Sequence, residues 1–373
     1  MELINKFGHG KIISVDEMIF IEHMQGRPMI YCESSACLSV TSDAWSWVSS
    51  KKNRDRVVVV TTNSPGSNNV IIVLGCQITD LAILNDIKLI EKLHADNPKA
   101  RMYVGGCLAY RFDIELPEYV TRLATMREIN VSIDKERAKY IQWQKPFWVT
   151  KDSWENGDKF IGDGRLFRDM HPIKIGTGCT GNCKYCNIKD TRGDGYSVDP
   201  YLQVGEFINA GDVVLISDNP TKQQMIDWCH LSKRYNKPIS IRNVEPSIAV
   251  QCKDEFLELA ELGLLKVFHC PIQSNNTDIL KAMNRDVDRT IKAIDMMIEL
   301  RKNGVITATN IIIDYPVEEN GEVKIYNNFD TMWLNNTFDY WTWNPYFDGK
   351  WDRENAERRF GYYLPGNTDS QSG

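Results

Sequence analysis

The sequence predicts an α/β protein of two parallel-sheet domains, the second a partial βα barrel, and three observations carry that prediction. Short β-branched runs recur along the chain. Helical periodicity fills intervals between them, and a charged, Trp- and Gly-containing stretch of weak pattern separates an earlier series from a later one. At 373 residues, 42% hydrophobic and 25% charged, the chain has the composition of an ordinary globular protein and enough length for two or three cores.

Taken in order, residues 28–32, 57–60 and 70–74 read as strands. Leu81, Leu84, Ile87, Ile90 and Leu93 then recur at helical spacing, and 102–104 reads as the next strand. Strands alternating with helices imply parallel pairing, with loops at the strand carboxyl ends open to a ligand. A first domain is expected over residues 1–120, and a linker over 121–168. The alternation resumes over 169–350: segments 173–176, 213–217, 239–242, 265–271 and 306–313 read as barrel strands, 290–301 as a helix and 338–346 as a last strand. Residues 351–373 are expected to be an extension ending in a polar tail.

The 44 Lys and Arg stand against 50 Asp and Glu, so the net charge of −6 gives no global drive toward nucleic acid or an anionic membrane. No segment reaches the roughly 18 apolar residues of a membrane span, and the N-terminus lacks a basic stretch followed by an apolar run. A cytoplasmic protein without a membrane partner is expected. In a reducing compartment the ten cysteines are better read as metal-binding or catalytic, where they are grouped, than as disulfides.

One group is plain. Residues 176–186, Gly-Thr-Gly-Cys-Thr-Gly-Asn-Cys-Lys-Tyr-Cys, place Cys179, Cys183 and Cys186 in a CxxxCxxC spacing directly after a strand, in a loop with three glycines. Three thiolates can hold three irons of a [4Fe-4S] cluster and leave the fourth open to the amino and carboxylate groups of a bound molecule. The alternative is structural zinc, which calls for a fourth Cys or His that the segment after Cys186 does not supply.

CxxxCxxC is the signature of the radical S-adenosylmethionine (radical SAM) superfamily. The resemblance implies that S-adenosyl-L-methionine chelates the open iron and is cleaved to a 5'-deoxyadenosyl radical that removes a hydrogen atom from an unreactive carbon. Tyr185 matches the aromatic that packs near the adenine in that superfamily; filling core space is the alternative.

Cys37, Cys76 (in Leu-Gly-Cys-Gln) and Cys107 (in Gly-Gly-Cys-Leu) lie far apart in sequence, and singly each reads as a buried thiol. Together their contexts resemble the N-terminal domain of the radical SAM methylthiotransferases, where one cysteine after each of three strands holds an auxiliary [4Fe-4S] cluster. The resemblance spans residues from about 30 to 350 and includes Thr191-Arg-Gly after the cluster loop, Pro271-Ile-Gln-Ser and Lys281-Ala-Met-Asn-Arg285. It implies a methylthiotransferase that uses two clusters and S-adenosyl-L-methionine twice, once to methylate a sulfur and once to make the radical. It further implies cofactor contacts from Tyr185, Ser217, Asp218, Asn243, Glu245, Gln273 and Arg192.

The implied partners are a tRNA adenosine first, a protein or ribosomally made peptide side chain second, an electron donor of flavodoxin or ferredoxin type, and a sulfur donor. A non-methylthiolating radical SAM enzyme or an iron-sulfur carrier is the reading from another class. Three departures stand out. Cys37 is followed by Leu38-Ser-Val where the family has Gln-Met-Asn, which leaves Cys32 as an alternative first ligand. Ser217-Asp218-Asn219 replaces Gly-Gln-Asn, and no terminal barrel of the TRAM type is expected after residue 350. Glu245, Asp314 and Arg192 read as polar anchors or as ion pairs, Cys229, Cys252 and Cys270 as core thiols, and His269 as a core histidine with lining of the barrel cavity as the alternative.

Overall fold

The computed structural model describes residues 1–61, 63, 69–128, 133, 135–138, 140–143, 149–150, 166–167, 170–326 and 330–363. The chain divides into two compact units: residues 1–145 with 349–373, and residues 146–348.

The first unit opens with a hairpin of β1 (Glu2–Asn5) and β2 (Gly8–Lys11), then α1 (Val15–His23), β3 (Met29–Ser34), α2 (Leu38–Ser49), α3 (Lys51–Arg54), β4 (Val58–Val60), β5 (Val70–Gly75), α4 (Asp80–Asp96), β6 (Arg101–Gly106), β7 (Val120–Arg122), α5 (Lys135–Ala138) and β8 (Ile141–Trp143). Its main sheet is parallel throughout, in the order β4-β3-β5-β6-β7, with β8 also on β3. The six residues of β5, Val-Ile-Ile-Val-Leu-Gly, are all buried, as expected for a central parallel strand covered on both faces. Helix α4 buries Ile83, Leu84, Ile87, Ile90 and Leu93 along one stripe and starts where the Thr79 hydroxyl accepts the Ala82 N–H at 3.0 Å.

The interval 121–168 read as a linker lies largely outside the described residues. Where it is described, β7 and β8 pair into this sheet. The tail beyond 363 also lies outside them, whereas Arg353–Tyr363 is a helix anchored on α4 by Arg353–Glu91 and Arg359–Asp80 ion pairs of 2.9 and 2.7 Å.

The second unit contains β9 (Val149–Thr150), β10 (His171–Lys174), β11 (Gly176–Thr177), α6 (Ile188–Arg192), β12 (Tyr196–Ser197), α7 (Val204–Asn209), β13 (Val213–Ile216), α8 (Lys222–Tyr235), β14 (Ile239–Arg242), α9 (Pro246–Gln251), α10 (Lys253–Glu261), β15 (Leu265–His269), α11 (Thr277–Ala282), α12 (Val287–Lys302), β16 (Ile306–Ile313), β17 (Tyr315–Glu319), β18 (Glu322–Tyr326), α13 (Thr331–Thr337) and β19 (Tyr340–Pro345). Strands β10-β13-β14-β15-β16-β19 form one parallel sheet in sequence order, the arrangement of a partial βα barrel, and β9 closes its edge antiparallel to β19. The α/β class and the two parallel sheets read from the sequence are the ones observed. Among the described residues no helix is long and apolar enough to cross a membrane.

Candidate functional site

In parallel sheets the carboxyl ends of all strands face one way, so residues just beyond them gather along one edge. In the second unit that edge begins with the loop after β11. Gly178 adopts φ +77°, and a Cβ there would lie 2.6 Å from the Gly193 carbonyl oxygen, so only glycine fits where the loop folds back on the end of α6. The Cys179 N–H donates to that same Gly193 carbonyl at 3.1 Å. From β13, Asp218 accepts the Gly178 N–H at 2.8 Å and the Thr177 hydroxyl at 3.2 Å, and pairs with Arg192 Nε at 2.9 Å, both side chains being buried. Asp218 and Arg192 are thereby used in holding the loop.

The three thiols of this loop lie within electrostatic reach of one another. Burial pushes Cys186 up to about 12, with Cys183 and Cys179 adding to it, and burial likewise raises Cys179. Asn219 hydrogen-bonds Cys179, and the Gly181 N–H donates to its Sγ at 3.2 Å. Arg285 Nη1 stands 3.8 Å from Cys183 Sγ, 3.4 Å from the Tyr185 hydroxyl and 3.7 Å from Glu245, while Nη2 donates to the Pro271 carbonyl at 2.9 Å. Tyr185 packs with the core of Ile279, Met283, Tyr315 and Val317. The Lys184 N–H donates to the Met283 carbonyl at 3.1 Å, which ties the loop to the end of α11.

Three polar residues that follow consecutive barrel strands share the left-handed backbone region: Asn243 (φ 66°) after β14, Gln273 (φ 70°) after β15 and Asp314 (φ 59°) after β16. Such backbone conformations in non-glycine residues collect at functional sites. The Asn243 N–H donates to His269 Nδ1 at 3.1 Å, so the His269 proton sits on Nε2, facing Asn310 Oδ1. Burial, then the neighbouring Arg242 charge, lowers His269 to about 3, so the ring is neutral. Glu245 caps α9 by accepting the Ser247 N–H at 2.7 Å. The Ser217 hydroxyl and Asn219 Oδ1 are buried without a hydrogen-bond partner among the described residues.

The first unit carries a second edge of the same kind. The β5–β6 register pairs Gly75 with Gly106, and the β3–β5 register pairs Ser34 with Leu74. Cys76 and Cys107 therefore follow paired residues, and Cys37 follows the adjacent strand by three positions, at the N-cap of α2. Burial pushes Cys76 well up, and Cys107 and Cys37 are the next largest causes, so these three thiols also lie within reach of one another. Cys32 is different: it is fully buried in the apolar core, raised by that burial and then by Glu33, with no coupling to Cys76 or Cys107 among its causes. Of the two alternatives for the first ligand, Cys37 is the one the fold brings to Cys76.

Asp86, which sequence reasoning assigned no role, is fully buried on α4; its carboxylate accepts the Cys76 N–H at 2.7 Å and the Ser35 hydroxyl. Burial raises it to about 7 despite both hydrogen bonds. Cys229, Cys252 and Cys270 are buried core thiols, and no cysteine is in a disulfide. Among the described residues no three His, Cys, Asp or Glu side chains are drawn tightly enough to enclose a single metal ion.

In donor chemistry both triads fit an iron-sulfur cluster: each is three grouped, half-buried cysteines at a strand-end edge. The orphaned polar atoms of Ser217 and Asn219, next to the Cys179 loop, fit a polar ligand beside the first triad.

Residues 173–324 match the family model of the radical SAM superfamily. A putative methylthiotransferase of Helicobacter pylori (strain ATCC 700392 / 26695) is 29% identical over 222 residues, covering 53% of this chain and 51% of that protein. The tRNA-2-methylthio-N(6)-dimethylallyladenosine synthase of Sulfurimonas denitrificans is 22% identical over 330 residues, 81% of this chain and 72% of that one. The ribosomal protein uS12 methylthiotransferase RimO of Caldicellulosiruptor saccharolyticus is 25% identical over 297 residues, 71% and 65% respectively. The chain thus spans about half the length of the first relative and about two thirds of the last. Among solved structures, the radical SAM methyltransferase TsrM of Kitasatospora setae with cobalamin and [4Fe-4S] cluster bound is similar with a TM-score of 0.46 and 10% identity, covering 78% of this chain and 70% of that one.

Proposed function

From a chain that carries a radical SAM domain and is related to the methylthiotransferases, we propose an enzyme that attaches a methylthio group to an unactivated carbon, of a tRNA adenosine in the first place. The observation that carries this reading is the second triad: Cys37, Cys76 and Cys107 are brought to one strand-end edge of a sheet separate from the barrel. One triad is enough to generate a radical. A second set of three thiols on its own sheet suits a second, sulfur-supplying cluster.

When bound, a cluster held by Cys179, Cys183 and Cys186 supplies an open iron for S-adenosyl-L-methionine and the electron that cleaves its sulfonium. The chain's own residues do the rest. Asp218 and Arg192 fix the loop on which the three thiols ride, and Arg285 sets a positive charge against Cys183. Ser217 and Asn219 offer buried polar atoms beside that loop. Asn243 and Gln273 stand at the ends of β14 and β15 in strained backbone, and the neutral His269 fixes Asn243 without placing a charge there. Electron donor and sulfur donor belong to the proposal as external partners.

Methylthiolation of a protein side chain is the second reading, favoured by the match to the uS12 enzyme. The net charge of −6 supports it over a nucleic acid. Binding that falls steeply with salt distinguishes tRNA.

Cys37→Ala, Cys76→Ala or Cys107→Ala is expected to abolish methylthio insertion while reductive cleavage of S-adenosyl-L-methionine to 5'-deoxyadenosine continues. Continued methylthiolation in these variants removes the second triad from the mechanism, and loss of cleavage as well removes the division of labour.

A further inference from the structure

We propose that Asp86 is a positioning residue of the second cysteine site: it ties the turn that carries Cys37 to the turn that carries Cys76 and fixes the direction of the Cys76 main chain. This rests on the reading that Cys37, Cys76 and Cys107 hold a cluster.

Asp86 sits on the core face of α4, between Ile83 and Leu84 on one side and Ile87 and Ile90 on the other, with no exposure to solvent. A carboxyl group on such a face is costly unless its oxygens are hydrogen-bonded. Each oxygen goes to a different cysteine-bearing turn. Oδ2 accepts the Cys76 N–H at 2.7 Å, and Oδ1 accepts the hydroxyl of Ser35, two residues before Cys37. The Ser35 N–H in turn donates to the Leu74 carbonyl at 3.2 Å, two residues before Cys76, so the two turns are joined by main chain as well as through Asp86. Close approach is possible because residue 75 is glycine: a Cβ there would lie 2.9 Å from Asp86 Oδ2.

The arrangement has a chemical consequence. An N–H group next to a ligating cysteine is a natural donor to a cluster or thiolate sulfur, and such hydrogen bonds help set reduction potential. Here the carboxyl group takes the Cys76 N–H, withdrawing it from the sulfurs. Residues that orient ligands in this way govern metal retention as well as potential.

The test uses the full chain with Cys179→Ala, Cys183→Ala and Cys186→Ala as parent, reconstituted without oxygen with ferrous iron and sulfide. The readouts are bound iron, the rate of iron loss to a chelator, the electron paramagnetic resonance spectrum after reduction, and the midpoint potential. A parent holding about four irons per chain is expected. In that parent, Asp86→Ala is expected to lose iron about 10- to 100-fold faster, with an altered spectrum and a raised potential. Asp86→Asn, which keeps an acceptor for the Cys76 N–H, restores most of the retention.

Retention, spectrum and potential unchanged in Asp86→Ala overturn the role of Asp86 alone. A parent without iron overturns the cysteine site itself and Asp86's role with it. Should Asp86→Ala fail to fold by circular dichroism, Ser35→Ala decides. It cuts one of the two ties, and an altered spectrum with faster iron loss supports the proposal while parent-like values overturn it.

Discussion

His269 is neutral near pH 7, and its surroundings say why: full burial and the nearby Arg242 charge disfavour the imidazolium, and Nδ1 is taken up in accepting the Asn243 N–H, which together outweigh the opposing pull of Asn310 on the Nε2 proton. Its proton affinity is lowered from 6.5 to about 3 on folding. Between those values the unfolded chain takes up a proton that the folded chain refuses, so stability falls as pH drops below about 6.5, by at most about 1.4 kcal/mol per pH unit. His269→Gln is expected to flatten the stability slope between pH 6.5 and 4.5 by about that amount in denaturant unfolding, and an unaltered slope contradicts a neutral buried His269. At the same scale, the candidate cysteines of the first site were legible because CxxxCxxC is local in sequence. Asp86 was not, because an Asp in a helical stripe of Ile and Leu gives no sign that strand ends will bring Cys76 and Ser35 to its two oxygens. Arg285 lay within a segment noted for its resemblance, yet its approach to Cys183 across 102 residues is a product of the fold.

The cluster loop is the element on which the first site depends, and its shape is set by glycine at 178 as much as by the cysteines. Gly178→Ala puts a methyl group 2.6 Å from the Gly193 carbonyl in a left-handed backbone. A cost of about 1–3 kcal/mol is expected, together with loss of iron from the first site while iron at the second remains, read by iron content in variants that keep only one triad. Full iron at both sites contradicts a loop held by that turn. Helix α4 was readable because it carries several periods of its pattern, and barrel strands such as β13 and β16 because they are β-branched apolar runs between helices. Strands β7 and β8 were not: at three residues each, they have no alternation to detect, and the stretch around them was read as linker. The hairpin of β17 and β18 has a local sequence signal, since Asn320-Gly321 lies between the strands with both residues at positive φ, as a two-residue type I′ turn requires.

For the molecule as a whole, the two units repeat one design: a parallel sheet, a strand-end edge and three thiols gathered there from loops. The two edges differ in how they were built. One takes its thiols from a single loop, the other from three strands spread over seventy residues, so the first was visible as a motif and the second only through resemblance. The pairings Ser34 with Leu74 and Gly75 with Gly106 supply the reason that sequence spacing could not. The claim that joins the two sites is methylthio transfer, and its most direct test is mass spectrometry of tRNA nucleosides and small-protein digests from cells lacking their own methylthiotransferases, with and without this chain. A new methylthio group on a tRNA adenosine, or in the second reading on a protein side chain, is the expected result, and it should vanish with Cys76→Ala. A chain that cleaves S-adenosyl-L-methionine under reduction yet adds no methylthio group to either class contradicts the account.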